Sequence, residues 1–298
     1  MISGFHFLLT YRCTRECPHC FVWGSPDAPA VFQRDQLVDY LEEADMAGIS
    51  EVAFEGGEPF IFYDLLLVGV REAVRRGKSV SVVTNGFWAT SEARARQLVG
   101  ELASEGVESI MISTDDYHGG EKEQSRAQLA HRVCQDLGLA SFMAETRFES
   151  VLFRGRAAHK LAGAVADSDW GQYTSCESED LANPGRVHVD PHGNVMVCQG
   201  ICIGNAERRS LREILTEYDP ADNPIVSELL TRGPQGLAAM AGKAFTQAVG
   251  QIGTDGRCGF ADACHLCYEA RRALRDRFPE TLAPAHVYGQ RCDSAGRL

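Results

Sequence analysis

The sequence predicts an α/β protein built on a parallel sheet, and three observations carry that reading. Short apolar runs at Phe5–Tyr11, Glu51–Phe54, Ser79–Thr84, Ser109–Ser113 and Ala140–Phe148 have the length and composition of strands. Between the first five runs lie amphipathic stretches of helical period, Gln33–Ala47, Tyr63–Arg76, Ser91–Ser104 and Glu121–Leu137, with Ser91 placed as an N-cap. The connections are short, so successive strands must run parallel through right-handed crossovers. Periodicity alone leaves open whether the sheet closes into a barrel.

After about residue 150 the rhythm changes. Arg186–Asp190, the turn Pro191–Asn194 and Val195–Cys198 read as a β-hairpin. Ser210–Tyr218 reads as a short capped helix, Leu229–Gly250 as a weak one, and Cys264–Phe278 as a helix with a basic face, stopped by Pro279. The organisation expected is therefore a core over residues 1–165 and a second module over 166–298.

Composition bounds the function. The 298 residues are 44% hydrophobic and 23% charged, which is ordinary for a soluble globular chain. A formal net charge of −12 argues against nucleic acid or an anionic membrane as partner, since either needs a basic face. Two basic runs, Arg71–Arg75–Arg76–Lys78 and Arg271–Arg272–Arg275–Arg277, read first as solvated helix faces and second as a docking patch for an acidic redox protein. No transmembrane span or signal peptide is visible, so a reducing, cytoplasmic setting is expected. Eleven cysteines in such a setting point to metal or redox chemistry rather than to disulfides.

The first cysteine group, Cys13-Thr-Arg-Glu-Cys17-Pro-His-Cys20, follows directly on the first strand. Three soft thiolates in one loop favour iron–sulfur or zinc, and no fourth cysteine is near in sequence, which leaves one metal position open. On spacing alone, a structural zinc loop completed by His19 or a distant residue is the alternative. Phe54-Glu-Gly56-Gly57-Glu58-Pro59 ends the second strand, where two glycines permit close backbone approach to a ligand and Glu58 can accept from an ammonium. By itself this is also a tight Gly-Gly turn. Thr84-Asn85-Gly86 ends the third strand and Ser113-Thr-Asp115 the fourth, so every motif sits where parallel α/β folds place their sites.

The C-x3-C-x2-C loop, the GGE segment, the TNG segment and the S-x-D segment together resemble the radical S-adenosylmethionine (SAM) superfamily over roughly residues 4–157. The resemblance implies a partial (β/α)6 TIM-like barrel and a catalytic [4Fe–4S] cluster on Cys13, Cys17 and Cys20. It implies SAM bound to the open iron and cleaved reductively to a 5′-deoxyadenosyl radical. It places Gly56, Gly57, Glu58, Asn85, Ser113, Asp115 and Arg126 around SAM, with His19 in the position where relatives carry an aromatic residue. Asp116-Tyr117-His118 departs from the usual Asp-Gly, and Tyr117 or His118 would face either substrate or solvent. Gly155-Arg156-Ala157 also resembles a segment following the fifth strand of related enzymes. No catalytic residue is assigned.

The later cysteines resemble the SPASM and twitch extensions that carry auxiliary clusters. Cys176, Cys198, Cys264 and Cys267 are the expected ligands of one auxiliary [4Fe–4S] cluster. A second cluster, with Cys202, Cys258, Cys292 or Asp255 as further ligands, and a zinc-only module are the alternatives. Cys134, on a helix, reads as a small buried apolar residue. The resemblance thus implies a radical SAM oxidoreductase or maturase acting on a small molecule or peptide, with ferredoxin or flavodoxin as electron donor. A non-catalytic iron–sulfur carrier or scaffold is the alternative, and the GGE-like motif speaks against it because a carrier has no need to bind methionine.

Overall fold

The computed structural model describes residues 2–165, 170–249 and 259–290. Its N-terminal part alternates as expected: β1 (Gly4–Thr10), α1 (Arg34–Met46), β2 (Glu51–Gly56), α2 (Tyr63–Arg75), β3 (Ser79–Thr84), α3 (Glu92–Ser104), β4 (Ser109–Ser113), α4 (Glu121–Asp136) and β5 (Ala140–Ala144). Ser91 caps α3, its Oγ accepting from the Arg94 N–H. A short α5 (Arg156–Lys160) follows, then β6 (Arg186–Val189), β7 (Asn194–Cys198) and β8 (Ile201–Asn205). The chain continues through α6 (Leu211–Thr216), α7 (Pro224–Ala241), α8 (Lys243–Val249) and α9 (Ala263–Leu274). The weak helical signal after Leu229 has a cause: α7 breaks at Gly233, whose φ of 66° no helix tolerates, next to Pro234.

All eight strands form one sheet in the order β5-β4-β3-β2-β1-β6-β7-β8. β1 to β5 are parallel, and β6 is parallel to β1, while β7 and β8 add antiparallel. Five strand–helix units are therefore followed by a sixth parallel strand that lies beside β1, not beside β5, and that leads into a hairpin rather than a helix. The sheet runs unbroken across the expected boundary at residue 165.

Strand alternation decides what each face carries. Phe7 stacks on Phe54 with ring centroids 5.6 Å apart. Phe54 reaches α2 so closely that a Cβ on Gly69 would lie 2.6 Å from its ring. Phe5, Phe7, Phe54, Val80, Val82, Ile110, Ile112, Val187 and Val189 are all fully buried on this helix-covered face. Truncating one such phenylalanine costs about 3–5 kcal/mol. His6, Glu55, Ser81, Met111, Phe142 and His188 alternate with them and occupy the opposite face. There Phe142 and Met111, neighbours across β4 and β5, stay 60% and 44% exposed. Cys134 is fully buried inside α4.

One expectation is overturned. Arg271 is 2% exposed and Arg275 8%, so half of the basic run at the end of α9 is buried rather than solvated, while Arg272 is half-buried and Arg277 exposed. The Arg71–Lys78 run is consumed by ion pairs with Glu42, Asp45, Glu72 and Glu105. Among the described residues, no helix is long and apolar enough to cross a membrane.

Candidate active site

β1 ends at Thr10, and the chain returns along itself to hold the cysteine loop. Tyr11 N donates to Ala30 O (3.1 Å), Cys13 N to Ser25 O (2.9 Å) and Ser25 N to Tyr11 O (3.3 Å). Gly24 N donates to Cys20 Sγ (3.3 Å). Cys13 and Cys17 are buried and Cys20 is half-buried. Burial, then Glu58, pushes the Cys13 thiol up to about 11. Burial and the neighbouring Cys20 and Cys13 push Cys17 to about 12. Such thiols hold their protons at neutral pH, so loading a metal onto the loop must release them.

Gly56 and Gly57 lie against the backbone of this loop. A Cβ on Gly57 would stand 2.2 Å from Arg12 O, and one on Gly56, at φ 130°, 2.4 Å from Thr10 O. Gly57 N donates to Thr10 O (2.6 Å) and Glu58 N to Arg12 O (2.9 Å). The close approach expected toward a ligand is made here to the cysteine loop itself. Glu58 is fully buried. Its Oε1 accepts from Phe60 N (3.2 Å) and Thr84 Oγ1 (2.8 Å), and its Oε2 from Asn85 N (2.7 Å). Burial raises its carboxyl to about 7 against these hydrogen bonds. Asn85 in turn points its Nδ2 at Cys13 Sγ (3.6 Å) and Thr14 Oγ1 (3.2 Å).

The fourth-strand motif organises its own loop. Ser113 closes β4 half-buried. Asp115 is 4% exposed and accepts from Tyr117 N (3.1 Å) and Thr146 N (3.2 Å), with His118 Nδ1 2.7 Å away. Burial raises this carboxyl, but His118 and His19 more than reverse it and the net shift is downward. His19 Nε2 lies 3.8 Å from Asp115, and its ring contacts Tyr117 and His118 at 4.9 Å each. Burial and His118 depress His19 to about 4, so it is neutral at physiological pH. Tyr117 and His118 therefore border the cysteine loop. A cavity of about 340 Å³ opens there, lined among others by Thr14, Cys17, Phe87, Tyr117 and Arg126. Arg15 also lines it; its Nη2 and His19 Nδ1 are buried without a partner. Those orphaned groups, with Arg126, suit an anionic, amine-bearing ligand of SAM's kind.

Two arginines had no role assigned from sequence, because a buried arginine leaves no local pattern. Arg156, 5% exposed, donates to Cys17 O (2.9 Å) and Gly24 O (2.8 Å), while its N–H binds Cys20 O (3.0 Å). Gly155 permits this contact: a Cβ there would sit 2.6 Å from Phe21 Cα, and its φ is 59°. Arg154 stacks on Phe21 and places Nη1 3.3 Å from Cys198 Sγ and 3.4 Å from Glu179. It therefore bridges the cysteine loop and the second cysteine set.

In that set Cys198 and Cys267 are buried, and Cys176 and Cys264 half-buried. Burial pushes Cys267 up to about 12, Arg271 lowers it, and Cys198, Cys264 and Cys176 raise it further, so the four thiols share one field. Arg271 donates to Gln199 O (2.8 Å) and Cys267 O (3.3 Å). A cavity of about 420 Å³ borders Cys176, Ser178 and Glu179. Cys202 is separately engaged, its thiol donating to Ala283 O (3.3 Å). Asp255, Cys258 and Cys292 lie outside the described residues.

Sulfur spacing bears on the metal. Tetrahedral zinc, with Zn–S bonds of about 2.3 Å, needs sulfurs about 3.8 Å apart. Among the described residues, the metal-ligating groups converging within 4.8 Å are His6–Glu55–His188 and His19–Asp115–His118, neither containing a cysteine.

Known proteins share parts of this chain. It is 27% identical over 143 residues to YydG of Bacillus subtilis (strain 168), a protein named for peptide biosynthesis; the match covers 47% of this chain and 45% of that one. It is 35% identical over 119 residues to the PqqA peptide cyclase of Streptomyces rochei, covering 38% and 30%. A GTP 3′,8-cyclase of Lactiplantibacillus plantarum is 29% identical over 160 residues, covering 50% and 45%. The matches thus span less than half of these relatives' own lengths. Among solved structures, SAM-bound SuiB of Streptococcus suis aligns over 76% of this chain and 68% of its own at TM-score 0.44 and 11% identity. AdoMet-bound anSMEcpe aligns over 93% and 97% at TM-score 0.47 and 12% identity. The family model described as "Radical SAM superfamily" matches residues 7–120, the stretch that holds the cysteine loop and the Gly56–Glu58, Thr84–Gly86 and Ser113–Asp115 motifs. The likeness to the radical SAM superfamily therefore lies in residues 7–120, the segment that carries all four motifs.

Proposed function

We propose that this chain is a radical SAM enzyme that modifies a peptide by abstracting hydrogen from carbon, with one auxiliary cluster assisting. The observation that carries the reading is the contact chain at Asn85: its Nδ2 meets Cys13 Sγ while its backbone N–H binds Glu58, which joins three motifs in one place. When bound, a [4Fe–4S] cluster and SAM together supply a 5′-deoxyadenosyl radical. The chain's own part is to hold and orient. Cys13, Cys17 and Cys20 would ligate the cluster, their loop clamped by Arg156 and backed by Gly56 and Gly57. Arg15 and Arg126 would take the SAM carboxylate, and His19 would offer its unpartnered Nδ1 beside them. Glu58, Asn85, Ser113 and Asp115 complete the surround, with Glu58 and Asp115 acting chiefly by fixing the strand ends.

Cys176, Cys198, Cys264 and Cys267 would hold a second [4Fe–4S] cluster in a twitch-like module over residues 166–298. Half-buried Arg154 and buried Arg271 beside these thiols suit an anionic cluster. Peptide as substrate is supported by the names of two relatives. It is also supported by the open β5 edge, where Phe142 and Met111 offer an exposed apolar face. A cytoplasmic ferredoxin or flavodoxin would deliver the electron.

The test is isotope transfer. Reduced, reconstituted enzyme is incubated with SAM and deuterated cell extract separated into peptide and small-molecule fractions. Deuterium in 5′-deoxyadenosine from the peptide fraction is expected. Transfer only from the small-molecule fraction overturns the peptide assignment.

A further inference from the structure

Outside the cysteine sites, three metal-ligating side chains from three adjacent strands meet on the face of the sheet away from α1 and α2. His6 on β1 stands beside His188 on β6 in register, and Glu55 on β2 lies one pleat further along. Glu55 Oε1 is 3.3 Å from His6 Nδ1 and 3.1 Å from His188 Nε2, and the three donor atoms lie within 4.8 Å of one another. The imidazole rings are 5.1 Å apart, inclined at 68°.

The cluster does not satisfy itself. Glu55 Oε1, His6 Nδ1 and His188 Nδ1 are buried atoms without a hydrogen-bond partner, so the short contacts are not aligned as hydrogen bonds. Each orphan of this kind costs about 1–3 kcal/mol. His188 is more than nine-tenths buried, whereas His6 and Glu55 keep side-chain exposures of 27% and 15%.

We infer that His6, Glu55 and His188 form a mononuclear site for a divalent first-row metal ion, separate from both cysteine sets. Metal–ligand bonds of about 2.0–2.2 Å place neighbouring donors about 3.0–3.5 Å apart, and both measured contacts fall in that range. Two imidazoles and one carboxylate suit zinc, iron(II) or manganese(II). Such an ion would satisfy His6 Nδ1 and Glu55 Oε1 together. Three protein donors leave it an open position. The site stands on geometry alone and does not depend on the radical reading.

The experiment uses the full chain with its iron reconstituted, given one equivalent of zinc, desalted, and measured at the zinc K-edge. One zinc per chain, with a nitrogen/oxygen shell at about 2.0–2.2 Å, is expected. Glu55→Gln and His6→Gln should each lose at least tenfold in zinc affinity while keeping wild-type iron content, which also shows that they fold. A sulfur shell would place the zinc in a cysteine loop and overturn the inference. So would retention of no zinc by the wild-type protein, or unchanged zinc affinity in both variants.

Discussion

Replacing Arg156 tests whether the cysteine loop is held from behind. Its guanidinium makes two charge-assisted hydrogen bonds, to Cys17 O at 2.9 Å and Gly24 O at 2.8 Å, in a place only 5% exposed. Arg156→Met keeps the aliphatic stem but removes the guanidinium that lies over Trp23; it leaves Gly24 O unpaired and Cys17 O with only its bond from Cys20 N. At about 1–3 kcal/mol for the orphaned Gly24 carbonyl, the loss is at least about 1 kcal/mol. The two carbonyls belong to the loop, so the cost falls on holding the cluster rather than on the sheet. At about 1.4 kcal/mol per factor of ten, iron affinity of the loop should drop at least about fivefold. Arg156→Lys, a point charge without the fork, should recover part of it. The assay is competition with a ferrous chelator, the loop's share of iron being the part absent from a Cys13/Cys17/Cys20→Ala protein. If Arg156→Met holds that share as tightly as wild type, the clamp argument is wrong.

Further outcomes are expected. The Cys13/Cys17/Cys20→Ala protein should retain four irons per chain, by iron and sulfide analysis; retention of eight would indicate two auxiliary clusters, and bound zinc would refute an iron cluster on the later cysteines. Gly57→Ala should abolish iron loading of the loop while urea unfolding stays cooperative, since its Cβ would stand 2.2 Å from Arg12 O. Arg154→Gln should shift the auxiliary cluster's potential negative by on the order of 100 mV in protein-film voltammetry, as a cation beside an anionic cluster is removed. The pH prediction concerns the apoprotein. Glu58 is raised from 4.5 to about 7 by burial, so between those values the folded chain binds more protons than the unfolded one. Its contribution is fully present below about 4.5 and is lost as pH rises through 7, and Glu58→Gln should flatten that part of the urea-unfolding profile.

Much of the fold was legible because the N-terminal half obeys local rules. Strand and helix periods there are clean, and the helices α1 to α4 start and stop within a residue or so of the positions read from pattern. β8 was missed because Ile201–Asn205 is short, contains Gly204, and follows a tight turn at Gly200. The placement of β6 beside β1 is a long-range pairing that no local period encodes. The cysteines were legible because spacing is visible in a sequence. The contributions of Arg15, Arg154, Arg156 and Arg271 were not, because an arginine drawn into a site resembles a surface one until its partners are known. Arg271 shows this most plainly: a basic helical run reads as solvated, yet its first member lies among the cysteine thiols. His6, Glu55 and His188 come together only through strand register, and nothing in their spacing announces it.

The central claim, that the Cys13–Cys20 loop and its surround cleave SAM, is tested most directly by anaerobic incubation of reconstituted protein with dithionite and SAM. The account predicts 5′-deoxyadenosine from the wild-type chain and none from the Cys13/Cys17/Cys20→Ala protein. No 5′-deoxyadenosine from wild-type protein whose cluster is intact by absorption and iron content would contradict it.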